Sequence, residues 1–237
     1  MALRPLESAR KVYIIRGAED LAEEGGNALL KTLEEPPPAV TIILTAPGPA
    51  ALLPTIVSRC QLLSLHPAAA RDIAAHLVDV WGVESERAEA IALASGGRPG
   101  WAVLAGQDQS LAETREQRAE QVMSLLTASR LERITVADAL AERWTGHAEE
   151  VRDTLETWSE VWHDVLMAQS GLATRIRSSG MVGEITSVAS RLSAADVQNA
   201  LASTLDVGEV LERNAHPRLA LETYTLFLPR VSRLDDA

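Results

Sequence analysis

Three consecutive residues, Ser58-Arg59-Cys60, offer a hydroxyl, a guanidinium and a thiol, and Glu34-Glu35 offer two adjacent carboxylates. A guanidinium is a fixed planar fork that stays charged and neutralises charge developing on a transferring phosphoryl group. The same arginine at a helix end also serves as a simple cap on exposed carbonyls. Ser58 either orients Arg59 or caps locally, and position alone leaves both roles open. Cys60 has no histidine near it in the pattern, so it reads as a small buried filler and not a nucleophile. Glu34 and Glu35 close a helix ahead of three prolines and are expected to be solvated. The stretch "KVYIIRGAEDL", Lys11 to Leu21, adds a further question. Strand tips that serve nucleotide hydrolysis carry carboxylates for Mg²⁺ and water, whereas this one carries Arg16 and Gly17. Thr45 ends another strand-like run, where capping a turn is the expected role.

The elements that must position these residues follow from periodicity. Before residue 66, the runs "KVYII", "VTIILT" and "CQLLSL" read as strands of a parallel sheet joined by helical crossovers. One helical segment spans Ala18 to Glu35, with Leu29, Leu30 and Leu33 on one face and prolines stopping it. A second, "AALLPTIVSR", places Leu53, Ile56 and Val57 on one side and delivers Ser58, Arg59 and Cys60 at its end. After residue 66 only helices are expected. Ile73, Leu77 and Val80 mark one; Ala88, Ile91 and Ser95 mark another that ends at Gly96-Gly97; a third begins at "RPGWAVLAG". "GQDQS" reads as a linker. Longer helices follow from Leu111, with Trp158 and Trp162 one turn apart as core anchors. Near the C-terminus, Pro217 suits a first helical turn and Asn214 or His216 a cap. Leu219, Leu221, Tyr224, Leu226, Phe227 and Leu228 are apolar on several faces, so burial is expected for that helix.

Composition narrows the function classes. A chain of 237 residues with 46% hydrophobic content is long enough for more than one packed unit. It has no uninterrupted apolar run of membrane-spanning length and no signal-peptide pattern, so a cytoplasmic location without membrane partners is expected. One cysteine excludes an internal disulfide or a cysteine-based zinc cluster. The five histidines, His66, His76, His147, His163 and His216, lack ligand spacing, and no metal site is expected. A net charge of −11 argues against a free-standing nucleic-acid binder, although a partner can supply the basic stripe. Of the 22 basic residues only Lys11 and Lys31 are lysines, a bias of composition more than of chosen contacts.

The succession "KVYII", "NALLKTLEEPPP", "TIILT", "LLPTIVSRCQ" and "NAHPRLALE" resembles the bacterial clamp-loader subunits of DNA polymerase III, members of the AAA+ family. The resemblance implies a mainly α fold with a partial α/β region. Residues 1–66 would be the second half of an AAA+ core, 67–107 a three-helix lid, and 109–237 a helical collar that holds subunits in a ring. The family's usual chain begins upstream of Met1 with a first strand and phosphate loop, so an N-terminally truncated chain with an incomplete core is implied. Motor subunits of the family place Mg²⁺- and water-binding carboxylates where Arg16 and Gly17 stand, and a sensor arginine where Gly100 stands. The phosphate-loop pattern is missing as well, the lysine of "GGNALLKT" falling inside a helix. The resemblance is therefore to the non-hydrolysing kind of subunit, with no ATPase activity and no cofactor of its own. It implies that Arg59, supported by Ser58 and Cys60, is an arginine finger acting in trans on ATP held by a neighbour. Gamma/tau and delta subunits, the sliding clamp and primer-template DNA are the implied partners. A fragment of a motor-type ATPase and a structural helical adaptor are the alternatives.

Overall fold

A computed structural model describes residues 10–21, 23–37, 39–213 and 215–231. The fold is mainly α with a partial α/β region, and the chain divides between Leu65 and His66 into two compact units.

In the first unit, strands β1 (Lys11–Ile15) and β2 (Val40–Leu44) pair in parallel, from Lys11 opposite Val40 to Ile15 opposite Leu44. Helix α1 (Glu23–Glu34) makes the crossover that parallel pairing requires. It ends where Pro36 and Pro37 would remove donors and clash with the preceding turn. Ala18, Leu29 and Ile56 are buried, while Val12 and Ile14 stand exposed on the opposite sheet face. Three expectations fail in this unit. The helix expected over Ala18 to Glu35 is broken, because Ala18–Asp20 is a 3₁₀ turn after which Leu21 is extended at ψ 119, and α1 starts only at Glu23. "AALLPTIVSR" is not one helix but a single 3₁₀ turn (Pro49–Ala51) followed by the short helix α2 (Pro54–Val57). Pro54 has no N–H to give an upstream turn, and it holds Leu53 extended at ψ 130. "CQLLSL" forms no strand, because it pairs with no described strand and a strand without a ladder leaves its backbone groups to water. Leu62, Leu63 and Leu65 are exposed along it.

The second unit is helical and holds two hydrophobic cores. Helices α3 (Ala70–Trp81), α4 (Ser85–Ala94) and α5 (Pro99–Gln107) enclose the smaller core, built on Ile73, Leu77, Ala88, Ile91 and Ala102. Val80 was expected there but is exposed. Gly82, left-handed at φ 65, reverses the chain so that the Val83 N–H meets the Leu77 carbonyl at 3.1 Å, and Val83 closes that end of the core instead. "GQDQS" is not an extended linker: α5 ends at Gln107 and α6 (Gln109–Leu125) begins two residues on. Asp108 between them caps α6 by accepting from the Ser110 N–H at 2.9 Å.

Helices α7 (Arg130–Trp144), α8 (Ala148–Gln169), α9 (Val182–Arg191), α10 (Ala194–Glu212) and α11 (Pro217–Phe227) complete the larger core. Trp158 and Trp162 of α8 are fully buried at its centre, as their spacing predicts. Capping boxes start α7 (Ser129, Glu132) and α10 (Ser193, Asp196). Pro217 does open α11, but His216 makes no side-chain cap, and Asn214 lies outside the described residues. Burial of α11 is one-sided. Leu221, Tyr224 and Leu228 are buried against the bundle, whereas Leu219, Leu226 and Phe227 face out. The reason is that α7 and α10 cover only the inner side of α11.

Arg133 on α7 was invisible to the sequence pattern, yet it is buried completely. Its Nη1 donates to the carbonyls of Thr225 (3.0 Å) and Leu228 (2.7 Å), and its Nη2 to that of Pro229 (2.9 Å). These carbonyls lie in the last turn of α11 and just beyond it, so one guanidinium caps the helix and pins the chain that follows. Burial, and then the charge of Arg230, push its pKa below the usual arginine value.

Two outcomes follow from these contacts. Arg133→Ala strands three carbonyls and should cost at least about 3 kcal/mol in urea unfolding, a fall of roughly 6–12 °C in Tm for a chain of this size. Arg133→Met, which refills the volume without the donors, should recover only part of that. At Asp108, hydrogen bonds from Ser110, the hydroxyl first and the backbone N–H second, hold the carboxyl below its ordinary range. A depressed folded pKa contributes stability above the unfolded value, about 3.9, and that contribution is lost as pH falls through the folded value. NMR titration should therefore place the Asp108 midpoint below about 3.9, and Asp108→Asn should flatten the acid limb of the stability curve.

Candidate interfacial arginine site

The tip of β1 is a backbone turn and not a carboxylate site. Arg16 is exposed, and Gly17 follows at φ 65, ψ 51, a left-handed conformation that favours glycine. The turn is tied to β2 through Thr45. Its N–H donates to the Ile15 carbonyl at 3.0 Å, its carbonyl accepts from the Ala18 N–H at 2.9 Å, and its hydroxyl lies 3.4 Å from the Gly17 N–H. Thr45 therefore acts as the strand-end capping residue that its position suggests. A side chain at residue 17 would be strained by its φ and would meet the Asp20 carboxylate at 3.1 Å. Beside this turn lies an open hollow of about 370 Å³, lined by Ala18, Glu19 and Gly26, and by Leu53 and Ile56 around α2. The charged side chain in its lining is an acid, Glu19, which has the wrong sign to hold a phosphate. Lys31, the lysine of "GGNALLKT", lies in the last turn of α1. Among the described residues no group of three or more His, Cys, Asp and Glu is placed to hold a metal.

Arg59 sits just past α2, with about a third of its side chain accessible. Its Nη1 donates to the Thr55 carbonyl at 2.9 Å, which is the helix cap expected of an arginine in that position. Ser58 fills both roles left open by the sequence: its hydroxyl donates to the Thr55 carbonyl at 3.1 Å and accepts from Arg59 Nη1 at 3.3 Å. Cys60 is a free thiol and only half-buried, so it is not the buried filler expected of it. The short α2, with Ile56 as its one buried residue, carries too little surface to cover it.

The residue that sequence reasoning missed is Glu34. It is exposed, as expected, yet its Oε1 also accepts from both Arg59 Nε (2.9 Å) and Arg59 Nη2 (2.5 Å). Only the packing of α1 against α2 brings residues 25 apart together. One signal was available. A carboxylate in the last turn of a helix faces the negative end of the macrodipole, and such a placement calls for a compensating cation.

Residues 1–69 match the family described as DNA polymerase III, delta subunit. Over 59 residues the chain is 51% identical to the DNA polymerase III subunit delta′ of Haemophilus influenzae, a match covering 25% of this chain and 18% of that protein. The delta′ subunit of Pseudomonas aeruginosa is 35% identical over 136 residues, covering 57% of this chain and 40% of the relative. The tau/gamma subunit of Haemophilus influenzae is 39% identical over 77 residues, covering 32% and 11%. The chain thus spans 40% or less of each of these relatives. By these matches the chain is similar to subunits of DNA polymerase III. More particularly, two of the three relatives are subunits of the delta′ type.

An exposed ion pair contributes roughly 0–1 kcal/mol to folding. Arg59→Ala should therefore shift the urea midpoint by no more than that allows, and a larger loss would mark Arg59 as a structural residue.

Proposed function

We propose that this chain is part of a non-hydrolysing clamp-loader subunit, a stator against which ATP-driven partners open the sliding clamp and load it onto primed DNA. In this reading residues 1–66 are part of an AAA+ core, 67–107 a lid, and 109–237 the collar that meets gamma/tau and delta subunits in the cytoplasm. The observation that carries the reading is Arg59, which lies within the segment matching the delta-subunit family and at the accessible end of α2. A guanidinium there can reach a phosphate held by a neighbouring subunit, supported locally by Ser58 and its neighbour Cys60. The tip of β1 supports the non-hydrolysing part. Arg16 and Gly17 can neither bind Mg²⁺ nor accept a proton from water, and the left-handed turn at residue 17 favours the glycine that stands there. Apolar side chains left outside the bundle, Leu131 on α7 and Leu219, Leu226 and Phe227 on α11, support the collar as an association surface. The tau/gamma match favours a second reading, a fragment of a motor ATPase, and the tip of β1 weighs against it.

The test is a complex reconstituted with gamma/tau and delta subunits. Arg59→Ala should leave assembly intact and lower DNA-stimulated ATP turnover, by up to roughly 10³–10⁵-fold at the site it serves. The loss over the whole complex should be smaller, since other sites keep their own arginines. Arg59→Lys keeps the charge without the planar fork and should rescue only partly. Wild-type turnover and clamp loading from Arg59→Ala would reduce this residue to a helix cap.

A further inference from the structure

The guanidinium of Arg59 is already occupied. An arginine presents five N–H donors, and the edge that grips an oxyanion with two parallel bonds is the one formed by Nε and Nη2. Glu34 covers that edge, with a single carboxylate oxygen 2.9 Å from Nε and 2.5 Å from Nη2. On the other side Nη1 is held by the Thr55 carbonyl at 2.9 Å and the Ser58 hydroxyl at 3.3 Å. What remains is one Nη2–H, too little for bidentate recognition. The counter-ion is also releasable. Glu34 is half-exposed and Arg59 a third exposed, so the pair sits in a screened environment where such contacts are weak. Glu34 is the last residue of α1, so its backbone stays in place when the arginine swings away.

We propose that Glu34 is a positioning residue that parks Arg59 in cis and yields it to a competing phosphate anion. The inference rests on the reading of Arg59 as an arginine acting in trans, and it adds a regulatory step to that site. A nucleoside triphosphate on a neighbouring subunit brings more negative charge than one carboxylate, and it can take the Nε–Nη2 edge once Glu34 releases it. Parking keeps the side chain off stray anions before assembly, at the cost of a reduced population of the free fork. Apparent engagement scales with the fraction left free, and for an exposed pair that lowers it roughly two- to fivefold.

Two measurements test this. In the reconstituted complex, Glu34→Gln should raise kcat/KM for ATP by about two- to fivefold at the site Arg59 serves and by less over the whole complex, and Glu34→Asp, shorter by one methylene, should fall between it and wild type. The gain should vanish in the Arg59→Ala background. In the chain alone, the ¹⁵N signal of Arg59 Nε should respond to inorganic tripolyphosphate in both proteins, with an apparent affinity about two- to fivefold weaker in the wild type than in Glu34→Gln. An unchanged or lowered kcat/KM in Glu34→Gln, while Arg59→Ala lowers turnover, would overturn parking and leave the trans-acting arginine standing. Equal tripolyphosphate responses in wild type and variant would overturn it as well. Wild-type turnover in Arg59→Ala would remove the trans-acting role and parking with it.

Discussion

Burial of α8 on most of its sides is the constraint from which the second unit is built. Its 22 residues place Val151, Leu155, Trp158, Val161, Trp162 and Val165 in the core, with α6, α7, α9 and α10 packed around them. Trp158 stacks on Tyr224 with ring centroids 5.9 Å apart and donates its indole N–H to the Arg118 carbonyl at 2.9 Å. A helix surrounded this way cannot keep every polar residue in water, and Glu160 and Asp164 are drawn in with the tryptophans. A buried carboxylate must be paired or hydrogen-bonded, because its desolvation costs several kcal/mol. Asp164 meets that demand with the backbone N–H groups of Arg177 (3.1 Å) and Ser178 (3.0 Å), which fixes the chain after α8.

Glu160 meets it with three arginines. Arg98 approaches at 3.1 Å and Arg177 at 3.3 Å, while Arg115 pairs with the second oxygen and lies over the Trp101 ring 5.5 Å from its centroid. Arg98 also pairs with Glu156. Because Arg98 precedes α5 and Arg115 belongs to α6, the need to neutralise one carboxylate of the larger core draws in the edge of the smaller one. The approach leaves no room for side chains on the connecting backbone. Gly96, at φ 59, has Arg177 Nη1 3.2 Å and Glu160 Oε1 3.6 Å from where its own Cβ would be, and Gly97, at φ 85, has the Pro67 side chain of the chain leading into α3 at 2.5 Å. The paired glycines after α4 therefore end a helix and also permit this close approach.

What the sequence disclosed follows the same division between local and non-local causes. Alternation in "KVYII" and "VTIIL", the prolines after α1, the Gly96-Gly97 stop and the tryptophan spacing all act within a turn or two, and each named its element, whereas the side-chain caps at Asp108, Ser129 and Ser193 went unread. The errors arise where a distant partner decides. "CQLLSL" has the composition of a strand but no described strand beside it, and Phe227 has the composition of a core residue on a side of α11 that no described residue covers. The site divides likewise. Gly17, Thr45 and the Arg59 cap could be read locally, whereas Glu34 enters only through the packing of α1 on α2.

Arg133 and Arg59 show how one side chain type acquires two fates. Each uses its guanidinium against carbonyls at the C-terminal end of a helix, yet Arg133 is fully buried and Arg59 is not. Three backbone carbonyls hold Arg133, and none can be exchanged for another ligand without unfolding the end of α11. Arg59 has one such carbonyl, and the rest of its fork is given to a half-exposed carboxylate. Carboxylate and phosphate present similar oxyanion geometry to a guanidinium, so whatever makes Glu34 a good partner makes it replaceable by a stronger anion. Burial fixes the first arginine in a structural role, and partial exposure leaves the second free to change partners.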